Sequence, residues 1–196
     1  MGEIYGEDVL IAALRAKYDG KKSEKEPVGD GIRIGSRMVS LRREPLFGGK
    51  CSMLLPDIME DMAYGDRIVK YRHHRPPIIK TDENGDATIT FNMIPLSEMK
   101  EAEGTYEMLM QIRSDMKKVW RQNVFYDTGE ETAGGLTVAW MDLKGFCLNG
   151  DLYSMIFIFQ LDGQVIMGNF HCSFPKYDVW KPVIKKLLAT VEAGTV

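Results

Sequence analysis

The run Leu152-Tyr153-Ser154-Met155-Ile156-Phe157-Ile158-Phe159 constrains this chain more than any other stretch. Its aromatic and β-branched residues suit a strand. A strand with one face in water alternates apolar and polar side chains, and this one does not. It must therefore be shielded above and below, which predicts an antiparallel sheet with helices packed on both faces.

The flanking sequence supplies the rest of that sheet. Leu136 to Leu148 and Val165 to Phe174 read as neighbouring strands, joined to the first at Asn149-Gly150 and Asp162-Gly163, a three-stranded meander. Earlier, Arg37 to Arg42 alternates and Cys51 to Leu55 is apolar up to Pro56. Ile78 to Thr81 and Ala87 to Phe91 flank Asn84-Gly85, a hairpin signal in which both central turn residues take positive φ. Between the two groups the period changes. Tyr106, Leu109, Ile112, Met116 and Val119 recur three or four apart, an amphipathic helix over residues 103–121. A second helix is predicted near residues 178–193, with Trp180, Val183, Ile184, Leu187, Leu188 and Val191 inside and Lys185 and Lys186 outside. Pro182 fits only a first turn, which places the start close to Asp178 or Lys181.

The N-terminal region stands apart. Leu10, Ile11, Leu14 and Tyr18 form one stripe of a short helix over residues 7–18, followed by the charged stretch Asp19 to Gly31. Residues 1–31 thus read as an N-terminal helix and charged linker, and residues 32–196 as the body; the stripe can dock on the body or pair with a second copy. The fold class is α+β, an αβα sandwich plus an N-terminal helix.

Composition narrows the setting. With 25 Lys+Arg against 28 Asp+Glu, the net charge of −3 exerts no general pull toward nucleic acid or anionic membrane. No stretch reaches the roughly 18 apolar residues of a membrane span. Glu3, Glu7 and Asp8 precede a short apolar run, unlike a secretory leader. Cys51, Cys147 and Cys172 are too few and too odd for a disulfide scaffold, which points to the reducing cytoplasm.

Four stretches carry a family likeness: Lys70-Tyr71 followed by Arg75-Pro76-Pro77; the hairpin ending Thr88-Ile89-Thr90-Phe91; Gly168-Asn169-Phe170-His171-Cys172; and Trp180-Lys181-Pro182. In this order the chain from Ser40 to Ala193 resembles the PsbP-like and DcrB-like fold family, as a bacterial cytoplasmic member. The resemblance implies an antiparallel sheet between helices and a role in binding other proteins, including chaperoning of secretion-system effectors. Fold kinship fixes no activity.

Candidate binding residues fall in two places. Arg72, His73, His74 and Arg75, with Arg67, Lys70 and Lys80 nearby, make the densest basic stretch, suited to an anion or an acidic partner. The same stretch reads more simply as a solvated loop ahead of a proline pair. Asn169, His171 and Ser173 share one strand face with Val165 and Met167, either lining a cleft under the long helix or marking the wet end of the sheet. The histidines and cysteines lack the paired spacing of a zinc site. The three cysteines sit in apolar strands and read as buried thiols rather than nucleophiles. Gly48-Gly49-Lys50 lacks the context of a phosphate loop, and no nucleophile elbow or cofactor motif is present. Thirteen methionines suit either an adaptable groove or an irregular core. These features predict a non-enzymatic module, an adaptor or effector chaperone, whose partner is another protein and which uses no cofactor. The rival expectation is a small-ligand binder or enzyme with a pocket between sheet and helix, using His171, Asn169, His73 and Arg75.

Overall fold

The computed structural model describes residues 29–194 apart from His74 and Asn149. The predicted helix over residues 7–18 and most of the linker lie outside the described residues. The chain runs β1 (Gly31–Ile34), β2 (Arg37–Leu46), β3 (Cys51–Pro56), β4 (Glu60–Asp61), α1 (Tyr64–Lys70), β5 (Ile78–Thr81), β6 (Thr88–Pro95), α2 (Thr105–Val119), β7 (Val124–Ala133), β8 (Leu136–Cys147), β9 (Gly150–Leu161), β10 (Gln164–Ser173), α3 (Tyr177–Leu188) and β11 (Glu192–Ala193). Four strands form one sheet in the order β1-β2-β3-β11, and seven form another in the order β4-β5-β6-β10-β9-β8-β7. Every strand pair is antiparallel. The described residues form an α+β protein of mostly antiparallel sheet with three α-helices.

Turn chemistry sets the long strands. Gly134 and Gly135 both take positive φ (52° and 80°), as do Asp162 and Gly163 (50° and 72°). Two consecutive left-handed residues give the tight reversal whose twist matches the paired strands. The hairpin at Asn84-Gly85 forms by other means. The loop covers residues 82–87, only Gly85 takes positive φ, and the Asp82 carboxylate accepts the amides of Asp86 (2.8 Å) and Ala87 (3.1 Å). An Asx side chain holding its own loop replaces the two-residue turn.

β9 is an inner strand of the larger sheet. Tyr153, Met155, Phe157 and Phe159 share a core with Met53 and Leu55 of β3 and with Trp180, Ile184 and Leu187 of α3. Ile156 and Ile158 share a second core with Met108 and Leu109 of α2. Each such side chain contributes about 1.5–3 kcal/mol by leaving water, so the strand is anchored from two directions.

Several expectations need correcting. In α2 the buried residues are Met108 and Leu109, while Val119 at the stripe's end is 70% exposed. α3 starts at Tyr177, next to the expected Asp178 and directly after a 3₁₀ turn at Phe174–Lys176, but Pro182 is not in its first turn. Pro182 therefore lies in its second turn, one residue beyond an inward-turned Lys181. Two further elements, the helix α1 and the strand β7, are not legible in the sequence, because Tyr64–Lys70 is short and Val124–Ala133 carries Asp127, Glu130 and Glu131. Cys51 and Cys172 are buried, but Cys147, at the end of β8, is exposed. Met53, Met59, Met62 and Met108 are buried, so these thioethers fill the core. Among the described residues no helix is long and apolar enough to cross a membrane.

Candidate functional site

Register brings one polar row across the sheet. Thr81, Thr88, His171 and Ser154 lie side by side on β5, β6, β10 and β9. The next row holds Ile79, Thr90, Asn169 and Ile156. Paired residues point to the same face, so Asn169 and His171 stand together on the face that carries Ile156. Sequence periodicity placed this pair correctly, but not what covers it. Tyr71, just past α1, sets its hydroxyl 3.4 Å from His171 Nε2, with the rings edge-on at 6.3 Å. Lys70 Nζ donates to Gly85 O (2.7 Å) and Thr88 Oγ1 (2.8 Å).

His171 is 8% exposed. Burial pulls its imidazole down to about 4, Lys70 adds to that, and Asp86 opposes it. Burial also raises Tyr71, so its hydroxyl keeps its proton in the contact with Nε2. Nδ1 of the same ring is buried and has no hydrogen-bond partner. Asn169 Oδ1 and Arg67 Nε are buried and unpartnered too. At the strand's end the Asp86 carboxylate accepts the Ser173 amide (2.9 Å), the Ser173 hydroxyl (3.0 Å) and Lys176 Nζ (2.6 Å). Burial works against that carboxylate, but Lys176 and Ser173 outweigh it and hold Asp86 below its usual range.

Arg72, His73 and Arg75 are exposed in the loop between α1 and β5, and His74 lies outside the described residues. Lys80 leaves this group altogether. It pairs with Glu44 Oε1 at 2.5 Å and Asp61 Oδ2 at 3.0 Å, bridging the two sheets.

A second polar constellation was not foreseen. Asp142, on β8, has no exposed surface, yet its carboxylate accepts the Asp127 amide (2.7 Å), the Tyr153 hydroxyl (3.1 Å) and Lys181 Nζ (2.7 Å). Lys181 also reaches Asp127 Oδ2 (2.7 Å) and the Tyr177 hydroxyl (3.2 Å). Burial disfavours the ammonium, but Asp142 and then Asp127 outweigh it and hold Lys181 above its usual range. The sequence signals were a lone Asp inside the apolar run Leu136 to Leu143 and a Lys one turn from both Tyr177 and Ile184. Asp142, Tyr153, Tyr177 and Lys181 hydrogen-bond one another in the core, with Asp127 at its exposed edge, which makes this a structural clamp between β8 and α3.

Exposed apolar side chains occur where α2 ends, β7 begins and β8 ends, on both faces of the sheet: Val124 pairs with Lys144 on the face of Tyr153, whereas α2 packs on the face of Ile156. Val119, Trp120, Val124, Phe146 and Leu148 are exposed there, and Asn123 Oδ1 accepts the Phe146 amide (3.4 Å), joining the two segments. Lys117, Lys118 and Arg121 flank Trp120 in the sequence. Elsewhere, a cleft of about 650 Å³ opens beside the first turn of α2, lined by Leu96, Met99, Lys100, Glu103, Glu107 and Gln160 among others. It contains neither Asn169 nor His171. No group of three or more His, Cys, Asp or Glu among the described residues is arranged to hold a metal.

Comparison with known proteins gives structural likeness only. No family model matches the chain, and no curated protein does. Cyanobacterial PsbP (CyanoP) from Synechocystis sp. PCC 6803 is similar over 87% of this chain and 99% of its own, at 13% identity and a TM-score of 0.53. LpqN of Mycobacterium tuberculosis, a protein involved in cell envelope biogenesis, matches 85% of this chain and 100% of its own at 9% identity and a TM-score of 0.45. PA94 of Pseudomonas aeruginosa, of unknown function, matches 80% and 99% at 10% identity and a TM-score of 0.43. The likeness to CyanoP shows a shared fold at this identity and nothing about activity.

Proposed function

We propose that this chain, which has the PsbP-like fold, is a non-enzymatic cytoplasmic binding module, an adaptor or chaperone that holds an apolar, acidic-flanked segment of another protein. The exposed apolar side chains Val119, Trp120, Val124, Phe146 and Leu148 at this end of the sheet support the reading. Trp120 is 45% exposed, and large aromatic side chains are the usual anchors of protein interfaces. Lys117, Lys118 and Arg121 beside Trp120 give the partner its sign, since charge complementarity steers encounter and register. The αβα-sandwich reading supports it from below: α2 stands with Ile156 and Ile158, α3 with Phe157 and Phe159, so the end of α2 is presented on a fixed frame. Three free thiols support the cytoplasmic part of the reading.

Site-specific photo-crosslinking in the native cell tests it. Reporters at Val119 and Leu148 should give one stoichiometric adduct whose crosslinked segment is apolar and acidic, and a reporter at the exposed Glu83 should not. Equal labelling from all three positions, or none from Val119 and Leu148, counts against the proposal.

A further inference from the structure

The cleft beside the first turn of α2 continues into a second one. This neighbour, of about 490 Å³, is lined by Tyr106, Glu130, Leu136 and Thr137 among others. Glu103, Glu107 and Gln160 line both clefts, so the two meet there and form one groove. It lies at the opposite end of α2 from the interface proposed above and does not depend on it.

Strand register gives the groove its course. Gln160 stands two residues beyond Ile158 on β9, on the face that α2 covers. Gln160 pairs with Val165 of β10, and Val165 with Ile94 of β6. In the other direction Ile158 pairs with Ala139 of β8, and Ala139 with Glu130 of β7. Ala139, Ile158 and Val165 share a core with Met108 and Leu109, so Glu130 stands on the α2 face as well. The groove therefore crosses the sheet from Leu96, just past β6, to Glu130 on β7. Four strand spacings of about 4.8 Å make it about 19 Å long. An extended chain of about six residues has that reach.

Floor and rim differ in chemistry. Leu96, Met99 and Ala102 line the groove and pack against the core beneath α2, so the floor is apolar and fixed. The rim carries Glu101, Glu103, Glu107 and Glu130. Glu107 accepts the Glu103 amide (2.7 Å), which holds its carboxylate at the mouth and already answers the positive end of the helix dipole. Among the described residues lining the groove the only cation is Lys100, whose ammonium pairs with Asp115.

We propose that this groove takes an extended segment of another protein in which aliphatic residues alternate with lysine or arginine. The two-residue period of an extended chain turns one set of side chains to the floor and the other away from it. The stems of the basic residues run along apolar surface while their charged ends reach the acidic rim, and opposite charge fixes encounter and register. A contact of this size is weak and reversible.

Fluorescence anisotropy of the full chain with a labelled Lys-Leu-Lys-Val-Lys-Leu-Lys peptide tests this. The peptide should bind saturably, and the same peptide with glutamate for lysine should not. Serine in place of its leucines and valine keeps the charge, and should weaken binding about tenfold by losing the floor. Glu103→Gln/Glu130→Gln should also weaken it about tenfold. Both residues are exposed, so the variant should fold. Glu83→Gln, at an exposed carboxylate elsewhere, should leave binding unchanged. Absence of binding overturns the proposal. So does equal binding of the serine peptide, displacement of the labelled peptide by an equal concentration of spermine, or a loss from Glu83→Gln as large as from the double variant.

Discussion

Phe91 and Phe157 meet edge to face across Gly168, their ring centroids 5.9 Å apart at 76°. Gly168 pairs with Phe91 on one side and Phe157 on the other, in the middle of the larger sheet. A Cβ on Gly168 would stand 2.0 Å from Phe157 Cζ. The glycine is thus the space the aromatic pair occupies.

Gly168→Ala should destabilise the protein by about 3 kcal/mol or more, because the clash is with a ring fixed on both sides. Urea denaturation measures it. An unchanged midpoint would show that Phe157 can swing aside. Gly168→Ala/Phe157→Leu should recover part of the loss.

The clamp of Asp142 and Lys181 predicts a non-additive pair. Lys181→Met strands a carboxylate that has no exposed surface, and should lose about 3–5 kcal/mol. Asp142→Leu/Lys181→Met removes both charges and should be appreciably more stable than Lys181→Met alone. A double-mutant cycle by chemical denaturation reads the coupling; additive losses would mean the two charges do not depend on each other.

His171 makes stability depend on pH in a defined window. Its folded value is about 4 against 6.5 for the free group, so the unfolded chain takes up the proton first as pH falls. The contribution is complete above pH 6.5, declines between 6.5 and 4, and levels off below. A shift of this size amounts to about 3 kcal/mol. Tyr71, Lys70 and Asp86 are the titratable groups around it. Denaturation midpoints at pH 7.5, 5.5 and 4 should fall in the native protein, and His171→Gln should flatten that slope. Equal slopes would exclude His171 as the source.

Thiol labelling should be selective. Burial pushes the Cys51 thiol up to about 11 and Cys172 higher still, while Cys147 is exposed. An aromatic disulfide reagent at pH 8 should modify Cys147 quickly and the other two only after unfolding. Rapid reaction of a second thiol in the folded protein would contradict the burial of β3 or β10.

Legibility followed the range of the interactions. The meander was readable because Asp162-Gly163 and the two-faced run through Phe159 are local signals. The pairing of Asn169 with His171 followed from the two-residue period of a strand. Tyr71 over His171 and Lys181 under Asp142 were not readable, since each joins segments whose meeting depends on the completed sheet. β7 escaped because Asp127, Glu130 and Glu131 are poor strand formers, and pairing with β8 overrides that preference. Gly129 is the trace it left: a Cβ there would stand 2.6 Å from the Trp140 ring.

The two outermost strands of the larger sheet share a character that governs how copies of this protein meet. β4 ends the sheet with two residues, Glu60 and Asp61, and β7 ends it with Asp127, Glu130 and Glu131 beside an irregularity between Phe125 and Thr128. Free hydrogen-bonding borders invite another chain to add itself, and negative charge, brevity and a break in register each discourage that. Both borders repel the same border of a neighbour, so a fibre grown strand upon strand is disfavoured from either side.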